Sequence, residues 1–136
     1  MNKSFVDTNL FIRYLTNDDP EKANRFEKLL EQAASGILTL VTTEMVIAEI
    51  VWGLESFYEL TPPKIAPLIR GILATPGLEI INGPLIGRAL ELYEGQNIDF
   101  VDGYITAVME KQGISDIYFF DRKHISRIRT VTRNEP

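Results

Sequence analysis

Ser4-Phe5-Val6-Asp7-Thr8-Asn9-Leu10-Phe11-Ile12 reads as strand, acid, helix. Phe5 and Val6 suit a buried strand. Thr8 and Asn9 are good N-cap residues for a helix that carries Leu10, Phe11, Tyr14 and Leu15 at helical spacing. Asp7 then stands at the carboxyl end of a first strand, the edge at which open α/β sheets bind their ligands. An acid in that place directs attention to acids elsewhere in the chain.

Working outward, Asp19-Pro20-Glu21 opens a second helix, with Asp19 as N-cap and Pro20 in the first turn, and Ser35-Gly36 stops it. Ile37 to Val41 is a compact β-prone run. Thr42-Thr43-Glu44 opens a long amphipathic helix reaching Leu60, with Val46, Ile47, Ile50, Val51, Leu54, Phe57 and Tyr58 on its core face. Pro62-Pro63 precedes a helix over 65–73. Leu78 to Ile81 is a third strand, 84–93 a helix, and 99–111 a helix closed by Gly113. Ile117 to Phe120 is a fourth strand ending in Asp121, and 129–131 a fifth. Short apolar strands alternating with helices, without period-two polarity, predict a three-layer α/β fold whose parallel sheet is covered on both faces.

The 136 residues match one ordinary domain, and 45% apolar residues suffice for its core, so residues 1–136 are expected to form a single domain. The absence of cysteine excludes disulfides and thiolate metal sites and fits a reducing setting. No apolar run approaches the roughly 18 residues of a membrane span. The expectation is a soluble cytoplasmic protein with no membrane partner. A net charge of −5 argues against a generic basic nucleic-acid binder. Within it, 122–136 holds five cations against Glu135, a local +4 that leaves −9 for the remainder. That basic end could contact phosphates or simply be solvated.

Three further positions answer Asp7. Glu49 projects from the border of its helix beside Gly53 and Ser56, whereas Glu44, Glu55 and Glu59 gather on the solvent side. Asp99 and Asp102 are three apart on one helical face with Gly103 and Thr106, and two adjacent carboxylates repel unless a cation lies between them. Capping by Asp99 and a dipole-favoured first-turn Asp102 is the plainer account of that pair. Asp121 ends the fourth strand as Asp7 ends the first. Four or five carboxylates with no cysteine and one histidine select a hard cation, Mg²⁺ or Mn²⁺, of the kind that serves phosphoryl chemistry. His124 is a weaker candidate base.

The segments Phe5 to Leu15, Ile47-Ala48-Glu49-Ile50-Val51-Trp52-Gly53-Leu54, Asp99-Phe100-Val101-Asp102-Gly103-Tyr104-Ile105 and Phe119-Phe120-Asp121-Arg122 occur in an order that resembles the PIN-domain ribonucleases. Within them the chain resembles the VapC-type toxins of toxin–antitoxin pairs. The resemblance implies a PIN-like domain with a four- or five-stranded parallel sheet and an acidic pocket binding Mg²⁺ or Mn²⁺. It also implies endoribonuclease activity on RNA by in-line water attack, leaving a 5′-phosphate and a 3′-hydroxyl. Asp7, Glu49, Asp102 and Asp121 match the family's acidic quartet. Asp7 and Asp102 would ligate the main ion, Asp121 and Asp99 would contribute directly or through water, and Glu49 would position or deprotonate the attacking water. Thr8 and Asn9 match the polar pair that holds the first carboxylate or a metal-bound water. Gly103 departs from the more usual Ala and should loosen its helix slightly. A small VapB-type antitoxin and a homodimer come with the family.

Phe5-Val6-Asp7 also resembles the nucleophile strand of haloacid-dehalogenase-like phosphatases, but that chemistry needs an acid where Asn9 stands. A receiver domain fails because Asp18-Asp19 lie beyond a helix. The remaining alternative is an interaction module whose acidic pocket only receives a partner's arginine. In that reading Trp52, Phe57 and Tyr58 could line a groove, although core packing accounts for most such side chains.

Overall fold

A computed structural model describes residues 2–120 and 127–136 of the chain. The chain forms two compact units, Met1–Gly83 and Pro84–Pro136.

The first unit runs β1 (Lys3–Phe5), α1 (Thr8–Thr16), α2 (Pro20–Ala34), β2 (Thr39–Thr42), α3 (Glu44–Ser56), α4 (Pro62–Leu73) and β3 (Leu78–Ile80). The three strands are parallel in the order β1-β2-β3, with Ser4 opposite Leu40 and Leu40 opposite Leu78. Central β2 buries Leu40 and Thr42 completely. It begins two residues inside the expected Ile37 to Val41 run, leaves Ile37 68% exposed, and takes in Thr42, which the sequence assigned to the start of the next helix. β1 departs from expectation. Val6 is buried, but Phe5 is 58% exposed, because the strand is only three residues long and its alternate side chains point to opposite faces.

Asp19 caps α2 as the Asp-Pro signature predicts, accepting from the Lys22 amide at 3.2 Å. Phe26 meets Phe11 edge-to-face at 5.3 Å and Tyr14 at 5.7 Å, which clamps α2 to α1. Gly77 has φ +79°, and a Cβ there would overlap the Ala33 carbonyl. Only glycine lets the chain enter β3 against the end of α2.

α3 ends at Ser56, short of the expected Leu60, and Phe57 is 74% exposed rather than in the core. The Leu60 amide closes the turn on the Leu54 carbonyl at 3.0 Å, and Glu59 takes a left-handed conformation. Tyr58 leaves the helical row because its hydroxyl donates to Asp18, which also receives Arg13 at 2.9 Å. These donors, Tyr58 foremost, hold the Asp18 carboxyl below the usual aspartate value.

The second unit runs α5 (Gly83–Gly95), α6 (Phe100–Gln112), β4 (Asp116–Tyr118) and β5 (Thr132–Asn134). Its strands pair in parallel, Ile117 opposite Arg133. Ile86, Ala89, Leu90, Tyr93, Phe100 and Ala107 form the buried surfaces of its two helices, and Leu92, Ile98 and Ile128 pack together. Arg88 on α5 grips Glu110 on α6 through two hydrogen bonds of 2.9 and 3.1 Å. The left-handed Gly113 closes α6 where the sequence places its end.

Parallel strands flanked by helices are therefore present, as the alternation of elements implied. Among the described residues the five strands pair as a three-stranded and a two-stranded sheet, rather than in one ladder of four or five. β4 stops two residues before Phe120, and β5 lies three residues beyond the expected 129–131. Phe119 still donates to the Asn134 carbonyl at 3.2 Å, so pairing with the C-terminal strand decides where β4 lies. Asp121 and His124, expected at and after the end of this strand, lie outside the described residues.

Candidate functional site

Asp7 follows a segment pinned on both sides. The Val6 amide donates to the Val41 carbonyl at 2.9 Å, and the buried Thr42 hydroxyl donates to the Val6 carbonyl at 3.0 Å. The next residue, Asp7, is itself the N-cap of α1: its Oδ1 accepts from the Thr8 amide at 2.8 Å. Thr8 and Asn9 are thus the first two helical residues, not the cap, because the extended backbone conformation falls on Asp7. The Thr8 Oγ1 is freed from capping, and it is buried with no hydrogen-bond partner among the described residues. An unmet buried hydroxyl costs about 1–3 kcal/mol, so this atom calls for a ligand or water beside the exposed Asp7 carboxylate.

Glu49 is exposed on α3. One turn further on, a Cβ built on Gly53 would lie 2.9 Å from Ile12 Cδ1, so α3 lies against α1 at that level. Both helices leave the same edge of a parallel sheet, β1 into α1 and β2 into α3. One turn back from the Ile12–Gly53 contact are Thr8 and Glu49. Asp7, Thr8 and Asn9 thus stand at the sheet edge of the first unit, and Glu49 lies further along α3, one turn before Gly53. Glu44, expected on the solvent side, accepts from Asn82 Nδ2 at 3.2 Å.

In the second unit Asp99 is the N-cap of α6 and accepts from the Asp102 amide at 2.7 Å. The plain capping account of Asp99 is therefore correct. Asp102 differs: it is 3% exposed, in the first turn of the helix, where the aligned peptide dipoles favour a carboxylate. The buried Thr106 hydroxyl donates to the Asp102 carbonyl at 2.9 Å. Gly103 does more than loosen the helix. A Cβ there would lie 2.9 Å from the Ala89 carbonyl oxygen, so glycine permits the close approach of α5 and α6 right behind Asp102.

Thr42, read in the sequence only as part of a helix start, and Thr106, placed there on the Asp102 face without a role, each donate a hydroxyl to a backbone carbonyl at or beside a candidate acid. The available signal was a threonine interrupting apolar surroundings, in one case just before Thr43-Glu44 and in the other one turn after Asp102.

Among the described residues no three acidic or histidine side chains form a metal-binding group. Asp7 and Glu49 belong to the first unit, Asp99 and Asp102 to the second, and Asp121 lies outside the described residues. The donor chemistry nevertheless suits a hard divalent cation. All candidates offer carboxylate oxygen, and the unsatisfied Thr8 hydroxyl adds an oxygen beside Asp7.

The family model of the PIN domain matches residues 4–130. A VapC ribonuclease of Aquifex aeolicus (strain VF5) is 26% identical over 118 residues, covering 87% of this chain and 87% of that protein. The crystal structure of the Mycobacterium tuberculosis VapC20, described as a sarcin-ricin loop cleaving toxin, aligns at 24% identity with a TM-score of 0.37. That alignment covers 90% of this chain and 92% of that one. With the family model spanning nearly the whole chain, this protein belongs to the PIN-domain family.

Proposed function

We propose that the chain is a metal-dependent endoribonuclease and the toxin of a VapBC-type toxin–antitoxin pair. The observation that carries this reading is the PIN-domain match over 4–130, because that span contains Asp7, Glu49, Asp102 and Asp121 together. The likeness of most of the chain to a VapC ribonuclease supports the toxin assignment. Residues 1–136 act as one PIN-like domain. Asp7 and Asp102 hold Mg²⁺ or Mn²⁺, and Asp121 and Asp99 contribute directly or through water. When bound, the ion stabilises negative charge on the phosphate and lowers the pKa of water. Glu49 positions the attacking water or takes its proton. The Thr8 hydroxyl and Asn9 hold the Asp7 carboxylate or a water beside it, which would satisfy the orphaned Thr8 Oγ1. Water attacks phosphorus in line with the P–O3′ bond, and the new P–O bond forms as the P–O3′ bond breaks. The water's proton passes to Glu49 or solvent, the departing O3′ takes a proton from water, and the strand is left with a 5′-phosphate and a 3′-hydroxyl.

The antitoxin is a small VapB-type protein, the toxin acts as a homodimer, and its place of action is the cytoplasm. No helix among the described residues is long and apolar enough to cross a membrane. Mapping the 5′ ends of cellular RNA after induced expression tests the activity. New ends should appear with the wild type and not with Asp7→Asn, and EDTA should stop cleavage by the purified protein. Identical ends from both proteins would overturn the proposal.

A further inference from the structure

The side of α1 that turns from Asp7 towards α2 forms a cleft of about 460 Å³ within the first unit. From α1 come Asn9, Leu10 and Arg13, and from α2 Lys22, Arg25, Phe26 and Leu29. The α2 set has spacing i, i+3, i+4, i+7, a single helical face. Phe26 is buried at the floor against Phe11, while Lys22 and Arg25 stand exposed at the rim. Three cations and no acid line this cleft, in a chain whose net charge is −5. Arg13 is paired with Asp18 at 2.9 Å, and Lys22 approaches Asp19 only to 3.9 Å. Arg25 makes no ion pair among the described residues.

A cationic rim over an apolar floor matches a nucleotide, whose phosphate is anionic and whose base presents a flat apolar face. The cleft also begins at Asn9, two residues from Asp7. We propose that it is a substrate subsite: a single-stranded segment of RNA leaves the Asp7 edge along α1, with a phosphate on Arg25 and Lys22 and a base against Leu10 and Leu29. This rests on the ribonuclease reading and adds to it a second point of strand contact. It also gives an acidic protein a local cationic surface, close in sequence to Asp7, on which to retain a polyanion.

The test is fluorescence-anisotropy binding of a labelled single-stranded RNA oligonucleotide to the full chain in the Asp7→Asn background, as a function of salt. Arg25→Ala should weaken binding about tenfold at low salt and reduce the magnitude of the log–log salt slope by about 0.7, the signature of one lost single-strand phosphate contact. Lys22→Ala should act in the same direction. Lys28→Ala, on the same helix but outside the cleft, removes an equal charge and should change affinity far less. Equal losses at Arg25 and Lys28 would reduce the effect to net charge and overturn the subsite. So would an unchanged RNA affinity in Arg25→Ala, including the case in which that variant instead loses binding to a glutamate-rich peptide, which would assign the cleft to an acidic protein segment. If the protein with Asp7 intact failed to cut RNA while Arg25 still controlled RNA binding, the catalytic reading would fall and the subsite would stand.

Discussion

The N-termini of α1 and α6 each carry acids that the sequence singles out, yet they use them differently. At α1 a single exposed residue, Asp7, is both the cap and the candidate ligand, and the unsatisfied atom is its neighbour's hydroxyl. At α6 the tasks are divided: Asp99 caps the helix from the surface, and Asp102 is buried one turn in. The backing also differs. Gly53 behind the first site faces the tip of the Ile12 side chain, which can swing away, whereas Gly103 behind the second faces a backbone carbonyl that cannot. A capping acid can thus stay exposed at the sheet edge, whereas a buried acid sits where the helix packing is tight enough to hold it.

Substitutions separate the two arrangements, beginning with the largest effect. Asp7→Asn and Asp102→Asn should each lower the RNA cleavage rate by about 100-fold or more, with unchanged circular dichroism, since Asn keeps the shape and, at position 7, the capping ability. Next, Gly103→Ala should destabilise the protein by about 1–3 kcal/mol in urea denaturation, despite alanine's better helix propensity, because its Cβ meets the Ala89 carbonyl oxygen. Gly53→Ala should cost clearly less. Equal costs at the two glycines would remove the distinction between a yielding and a rigid backing.

Capping gives a smaller effect. Asp99→Ala should lose about 1 kcal/mol in the same denaturation, and Asp99→Asn should recover most of it. The smallest effect concerns pH. Glu110 is held below its ordinary value of 4.5 by the Arg88 hydrogen bonds. The unfolded chain therefore takes up its proton first as pH falls. The stabilisation is fully present above the ordinary value and is lost as pH drops through the folded one. Glu110→Gln should lower stability slightly at neutral pH, where the wild type keeps its charged Arg88 contact, and flatten the acid limb below about 4.5, so that the two stability–pH curves converge at low pH.

Much of this was legible because local signals and tertiary packing agree. Asp19-Pro20 marked the start of α2, Gly113 the end of α6, and Asp7 the strand-to-helix junction. The failures occur where a long-range contact decides. The apolar row of α3 continues in sequence through Phe57 and Tyr58, but the Tyr58 bond to Asp18 takes the chain elsewhere, and a helical period carries no trace of a partner forty residues away. Phe5 looked like core because β propensity does not report strand length. Gly103 looked like a minor departure because the clash that an alanine would make lies with α5. For the candidate site, the acid types and their places on elements could be read from the chain, whereas the supporting hydroxyls of Thr42 and Thr106 required the structure.

The proposed joint role of Asp7 and Asp102 in metal-dependent RNA cleavage is tested most directly by the single-turnover cleavage rate of a labelled RNA in Mg²⁺ or Mn²⁺. Wild-type protein should be compared with Asp7→Asn, Asp102→Asn and the double variant. The account predicts that each single variant falls to about a hundredth of the wild-type rate or lower, and that the double variant is little worse than either, as for residues acting as a unit. An Asp102→Asn protein cutting RNA at the wild-type rate would contradict it.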